Sequence, residues 1–198
     1  YNTLDLINWM SVHANAPEIS QVVEALSRFY RLSLSKGEDM VTIKNELEHV
    51  SAYVEIQNMR FENSIKLQID VPETIHECMM PKLVLQPIVE NSIIHGIFEK
   101  EQGEGTIKIY GKLEEDVINL YVEDDGIGMS QEKISQILTA SSSNEPHGYG
   151  VRNINERIKL YYGVDYGLTY ESRPGEGTIA AIRIPAVKRG AAGPQESV

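Results

Sequence analysis

A chain of 198 residues is long enough for one compact domain, or for a medium domain with a small helical appendage, without covalent staples. Its formal net charge of −11 argues against a nucleic-acid-binding face, which needs clustered Lys and Arg, and its single cysteine, Cys78, excludes an internal disulfide and an all-cysteine metal site. No run approaches the ~18 consecutive apolar residues of a membrane span, and no basic-then-apolar signal peptide opens the chain.

Taken in order, "YNTLDLINWMSVHA" carries Leu4, Ile7, Trp9 and Met10 at near-helical spacing and is broken by "NAP". After Pro17, "EISQVVEALSRFYRLSLSKG" repeats apolar residues every three or four positions up to Gly37, a candidate C-cap, and "IKNELEHVSAYVEIQNMRF" predicts a third helix. No strand is expected before residue 62. The chain lacks an initiator methionine and opens inside a helix, so it is expected to be a piece of a longer protein, with any membrane segment upstream. Two amphipathic helices at its start predict a bundle completed by a second copy of the chain.

From residue 64 the texture changes. "SIKLQIDVP" alternates like a strand, "PKLVLQPIVENSIIHGIFE" is helical, and "GTIKIYGKLEEDVINLYVEDDG" predicts a hairpin turning near Leu113 to Asp116. The helix "SQEKISQIL" leads into the polar "TASSSNEPHGYG", then come the helix "VRNINERIKLYYG" and a hairpin turning at Pro174-Gly175. The expected class is α+β: a helical hairpin or bundle segment over residues 1–63, then a two-layer sandwich over 64–187 whose mixed, mostly antiparallel sheet is covered by helices on one face, and a disordered tail over 188–198.

Polar patches interrupt these elements. In "VENSIIHG", Glu90, Asn91 and His95 sit in an otherwise apolar helix, with Asn91 and His95 one turn apart. Asn is a poor helix former, and an amide oxygen offered to a hydrated Mg²⁺ gives it a reason to be there, as a polar outer face also would. In "VEDDGIGM", a carboxylate at a strand end can accept from an exocyclic amine such as that of adenine, while Gly126 and Gly128 let backbone approach a ring; a hairpin turn is the plainer use. In "HGYGVRNINERI", Gly148 and Gly150 precede a helix whose free N–H groups suit phosphate, or simply cap it. Last comes "GEGT", Gly175 to Thr178, at a hairpin tip.

In that order and within about ninety residues, the patches together resemble the ATP-binding domain shared by gyrase, the Hsp90 chaperone, histidine kinases and MutL, the GHKL or Bergerat fold. The resemblance implies that Asp124 reads adenine, that Gly126 and Gly128 make room for the base, and that Asn91 ligates Mg²⁺, with His95 and Thr178 in the nucleotide site. It further implies an ATP lid over residues 131–147 and phosphates against Gly148 and Gly150; Asp125 stands where a neutral or variable residue is usual.

The segments "YNTLDLIN", "LSRFYRLSLSKG", "ELEHVSAYVEIQNMRF" and "LVLQPIVENSIIHG" are similar to sensor histidine kinases of the LytS/YesM type, up to about Pro185. That family carries its phosphoaccepting histidine in Pro-His-Phe-Leu immediately before Tyr-Asn-Thr-Leu, so the acceptor is expected three residues before Tyr1. His13, His49, His76 and His147 do not match that motif. The resemblance implies ATP and Mg²⁺ as ligands and a homodimer through the N-terminal helices. It also implies a response regulator as partner and a cytoplasmic position in a bacterial membrane protein, with no direct membrane contact and no nucleic acid. The γ-phosphoryl group would pass to the histidine and then to a regulator aspartate, with Glu90 as the candidate for accepting or orienting the imidazole proton. Two other readings stay open. One is an ATP-driven clamp, disfavoured because Pro87 stands where such proteins place a water-activating glutamate; the other is a nucleotide-binding module without phosphotransfer.

Overall fold

The computed structural model describes residues 2–34, 37–62, 64–139 and 149–190. Gly148, residues 140–147 of the expected lid with His147 among them, and residues 191–198 lie outside them. The elements run α1 (Asn2–His13), α2 (Pro17–Leu34), β1 (Met40–Thr42), α3 (Ile43–Arg60), β2 (Ile65–Asp70), β3 (Met79–Pro81) and α4 (Leu85–Asn91). A π-helical segment (Ser92–Ile97), β4 (Gly105–Glu114), β5 (Val117–Asp124), α5 (Gln131–Thr139), α6 (Tyr149–Tyr162), β6 (Gly167–Ser172) and β7 (Thr178–Pro185) follow.

Five strands form one sheet in the order β2-β4-β5-β7-β6, with β2 parallel to β4 and every other pair antiparallel. The alternation seen in the sequence sets its faces: along β5, Ile118, Leu120, Val122 and Asp124 point inward and are buried. Helices α3, α4 and α6 cover that face, and Leu47, Val50, Ile88, Val89, Ile154 and Ile158 share a single core with Ile107, Ile109, Leu120 and Ile182. Burying each such side chain stabilises the fold by about 1.5–3 kcal/mol, which is why this layer needs no disulfide. The mixed, mostly antiparallel sheet with helices on one face is the α+β arrangement expected.

Three local features differ from expectation. First, β1 is a strand within the stretch expected to hold none; it pairs with β3 through Met40↔Pro81, Val41↔Met80 and Thr42↔Met79. Three residues are too few for a period of two to show. Thr42 then caps α3 by accepting from the Asn45 N–H at 3.2 Å. Second, the helix expected from Pro81 starts only at Leu85, because Pro81 is used in β3 and Leu83 adopts a φ of +57°. Third, the chain leaving β7 is held at first: the Met79 N–H donates to the Val187 carbonyl at 2.7 Å, Lys188 bridges to Cys78, and Arg189 pairs with Glu38 at 2.9 Å. Core packing also crosses residue 63, since α3 buries Ile43, Leu47, Val50 and Val54 against the sheet layer.

Helices α1 and α2 form a hairpin stitched by Ser20 Oγ donating to Asn8 Oδ1 at 2.5 Å. It meets the rest of the molecule along α3, where Phe29 stacks on His49 at 4.5 Å and Arg28 pairs with Glu55.

Candidate nucleotide site

The site forms where the inner end of β5 meets the π-helical segment. Asp124 is 4% exposed and closes the apolar inner row of β5. Its Oδ1 accepts from the Gly126 N–H at 3.0 Å. Burial pushes its carboxyl above the usual range, while hydrogen bonds from the Ser92 hydroxyl, Gly126 and Thr178 pull the other way. A buried carboxylate tethered in this way offers a fixed acceptor to a ligand amine.

The loop after Asp124 crosses the π segment backbone against backbone. A Cβ on Gly126 would stand 2.5 Å from Gly96 Cα, and one on Gly96 would stand 3.0 Å from Asp124 Oδ1. The Ile127 N–H donates to the Gly96 carbonyl at 3.1 Å, so the contact is a bonded one. Gly128 has a φ of +67°, and a Cβ there would lie 1.9 Å from the Arg173 carbonyl oxygen. Both glycines named in the sequence are therefore required by the protein's own backbone at the loop.

Asp125 has a different task from its neighbour. It is exposed, and its Oδ1 accepts from the Thr106 N–H at 2.9 Å and from Lys100 Nζ at 3.2 Å, tying the start of β4 to the end of β5.

Asn91 is the last residue of α4 and His95 lies in the π segment, both half-buried; the Phe98 N–H reaches the Ile93 carbonyl at 2.9 Å, which marks the wider winding. Such π segments inside α-helices often coincide with functional sites. Glu90, also half-buried, faces α3: its charge, after burial, helps push the Tyr53 phenol up to about 12. Gly150, near the start of α6, is exposed, and among the described residues a Cβ there would meet only Pro87, at an ordinary 3.7 Å, so none of them demands glycine at this position. That contact sets the head of α6 beside the helix carrying Asn91. Thr178 pairs in register with both Asp124 and Ser172, and its Oγ1 lies 3.0 Å from Ser172 Oγ.

The helix bearing Asn91 is itself pinned from α3. Glu46, 2% exposed, accepts from the N–H groups of Leu83 at 2.7 Å, Val84 at 2.8 Å and Leu85 at 3.0 Å. Burial pushes its carboxyl up, against those three N–H groups and the charge of Arg157, which donates from α6 to the Leu83 carbonyl at 3.0 Å. One buried acidic side chain thus joins α3, α4 and α6, and satisfies N–H groups that a helix start leaves open.

Sequence reasoning missed Ser92, Gly96, Ser172 and Glu46. Gly96 had a usable signal, because glycine inside an apolar helix marks a close approach. Ser172 had none: its Oγ donates to the Gly177 carbonyl at 2.6 Å and accepts from the Met129 N–H at 2.8 Å, partners far apart in the chain. Among the described residues no cluster of three or more His, Cys, Asp or Glu could hold a metal ion. A hydrated Mg²⁺ shared with phosphates needs no such cage, and an amide oxygen such as that of Asn91 is a suitable ligand for it.

Both parts of the chain are similar to known protein families. Residues 1–65 match the family model "Histidine kinase", and residues 79–188 match "Histidine kinase-, DNA gyrase B-, and HSP90-like ATPase". The chain is 37% identical over 185 residues to Sensor histidine kinase YesM of Bacillus subtilis (strain 168), covering 93% of this chain and 31% of that protein. It is 30% identical over 185 residues to Sensor histidine kinase BtsS of Escherichia coli (strain K12), covering 93% and 31%. Against Sensor protein kinase HptS of Staphylococcus aureus (strain USA300) it is 30% identical over 188 residues, covering 93% and 35%. The chain therefore spans about a third of the length of these relatives. In fold it is similar to the catalytic domain of histidine kinase ThkA, with a TM-score of 0.57 at 17% identity over 76% of this chain and 97% of that one. It is also similar to the histidine kinase domain of the Erythrobacter litoralis EL346 blue-light activated histidine kinase, with a TM-score of 0.52 at 16% identity over 93% and 83%. With the second family model covering more than half of its residues, the chain belongs to the histidine kinase-, DNA gyrase B- and HSP90-like ATPase family.

Proposed function

We propose that this chain is the ATP-binding part, with its adjoining helices, of a protein-histidine kinase that moves the γ-phosphoryl group of ATP to a histidine and from there to a response-regulator aspartate. The observation that carries the reading is Asp124: a buried carboxylate at the end of β5, held by Gly126 and Ser92 beneath a loop that only glycines at 96 and 126 allow. It accepts from the exocyclic amine of adenine. Asn91 and His95 border the phosphates, and the exposed Gly150 at the head of α6 keeps space for them. Thr178, beside Asp124 on β7, completes the floor. Gly148 is assigned to the phosphates on its sequence position alone. Mg²⁺, held on Asn91 and the phosphates, would neutralise charge on the transferring group.

Glu90 lies near enough to Tyr53 of α3 for its charge to act there, which supports assigning it to the acceptor imidazole. It takes or orients the imidazole proton. Exposed apolar residues on the N-terminal hairpin, Leu6, Trp9, Met10 and Val12, fit a homodimer interface, and the assembly is the cytoplasmic portion of a membrane receptor. Pro87 cannot act as a base, so hydrolysis by an activated water is disfavoured.

The test has two arms. Calorimetric titration with a non-hydrolysable Mg·ATP analogue should show binding that weakens when Mg²⁺ is chelated. With γ-labelled ATP the chain should carry no acid-labile label, because no histidine in it stands in Pro-His-Phe-Leu, whereas a version with that motif placed before Tyr1 should become labelled. Acid-labile label on the 198 residues themselves would sink the assignment of the acceptor.

A further inference from the structure

The strand register arranges the inner face of the sheet in rows. Asp124, Thr178 and Ser172 form the row nearest the loops, Val122, Ala180 and Tyr170 the next, and Leu120, Ile182 and Leu168 the third. The second and third rows are apolar except for the phenol hydroxyl of Tyr170. The Tyr170 ring packs against the core, and the residue between it and β5 is Ala180, 1% exposed. A methyl group at that point leaves the ring free to reach across β7 toward β5. Tyr170 is near enough to Asp124 for that charge to act on it: burial first, and the Asp124 carboxylate second, push the phenol above its ordinary range.

Among the described residues the Tyr170 hydroxyl is buried with no hydrogen-bond partner. Its polar neighbours are engaged: Ser172 with Gly177, Met129 and Thr178, and Asp124 with Gly126 and Ser92. Buried tyrosines normally find a partner for the hydroxyl, since leaving it without one costs stability. Phenylalanine would fill the same space without that cost. A hydroxyl at this position, beside the adenine-reading carboxylate, is matched to a group that the described residues do not supply.

We propose that Tyr170 is a specificity residue for the nucleotide base: its hydroxyl donates to a ring nitrogen of the bound purine, across at most one trapped water, while Asp124 accepts from the exocyclic amine. An acceptor beside a donor selects adenine. Guanine and hypoxanthine present a carbonyl to Asp124 where adenine has its amine, so that contact turns repulsive; where the ring nitrogen met by Tyr170 is N1, they also present an N–H in place of its acceptor. The inference rests on the reading of Asp124 given above and extends it to a second side chain.

The experiment is calorimetric titration of ADP and of its 1-deaza, 3-deaza and 7-deaza analogues into the wild-type chain and Tyr170→Phe, with thermal unfolding of both chains without nucleotide. Tyr170→Phe should bind ADP about five- to tenfold more weakly. One deaza analogue should lose the same factor on wild type and then bind wild type and Tyr170→Phe alike. Without nucleotide the variant should melt at or above the wild-type temperature, because it loses an unpartnered buried hydroxyl. Equal ADP affinity, a melting temperature lowered by several degrees, or a wild type indifferent to all three analogues would overturn the proposal; the last needs no variant to fold. A wild type that binds no ADP at all removes the reading of the whole site, whereas one that binds ADP but fails these comparisons removes Tyr170 alone.

Discussion

Helices α2 and α3 are both 18 residues long, yet they live in different surroundings. Helix α2 buries only Val23 and Ala25, and leaves Ile19, Val22, Tyr30 and Leu34 exposed. Helix α3 buries Ile43, Leu47, Val50, Ala52, Tyr53 and Val54, and even spends a carboxylate and an imidazole, Glu46 and His49, inside the molecule. A helix with an apolar face but little to cover it is a helix built for another surface. The sheet-bearing body completes itself, while the α1–α2 arm does not.

The strongest way to break this contrast is to damage each side equally. Ile109→Ala, at a fully buried position on β4, should lower global stability by about 2–5 kcal/mol, read from chemical denaturation. Trp9→Ala, at a side chain 59% exposed, should change stability by less than ~0.5 kcal/mol in dilute solution while weakening self-association seen by analytical ultracentrifugation. A large stability loss from Trp9→Ala in a monomeric sample would mean that the arm packs on its own body after all.

The second test stays within the body. Asp124→Asn should weaken ATP binding by about 1.5–3 kcal/mol, or roughly ten- to a hundredfold, because an amide nitrogen then meets an amine donor with donor. Stability should move the other way. Burial raises the Asp124 pKa in the folded chain, so the stability it contributes is present at low pH and is lost as pH rises through the folded value. At neutral pH the amide removes that penalty, and the empty variant should melt no lower than wild type. Equal ATP affinity in the two chains would show that adenine recognition lies elsewhere.

Third, Glu46→Gln keeps the shape of the side chain but turns an N–H donor toward one of three N–H groups, so a loss of about 1–3 kcal/mol is expected. Hydrogen exchange should locate the loosening at residues 83–85 and the head of α4. Unchanged protection there would show that Glu46 does not hold the helix carrying Asn91.

The sequence carried the body well and its joints poorly, for physical reasons. Burial on one face writes a period of two into β4, β5 and β7, the acidic Glu115-Asp116 breaks the first hairpin and Pro174-Gly175 the second, so both hairpins were legible. Strands β1 and β3 are three residues each and show no period at all. The choice between Asp124 and Asp125 could be made by resemblance, but why it falls that way is a matter of register: alternation turns Asp124 inward, and Asp125 outward to Thr106 and Lys100. Ser92 and Ser172 act through partners distant in the chain, Asp124 and Met129, and no local pattern records such partners.

The smallest expected effect lies on the seam between arm and body. His49 is 2% exposed and stacks on Phe29 of α2. Its Nε2 lies 2.7 Å from Ser33 Oγ, and its Nδ1 is buried with no partner among the described residues. Burial holds its pKa below the ordinary imidazole value, so the folded chain keeps it neutral. A histidine shifted down contributes stability that is present above its unfolded pKa, about 6.5, and is lost as pH falls toward the lowered folded value. The loss should concentrate where the ring sits, between α2 and α3. Amide exchange measured on either side of that value should therefore show α2 opening more readily at the lower pH while β4 and β5 change little. His49→Phe should keep the stacking surface and remove the pH dependence. If α2 responds to acid equally in that variant, the sensitivity arises from other groups on the arm, and the seam is held by apolar contact alone.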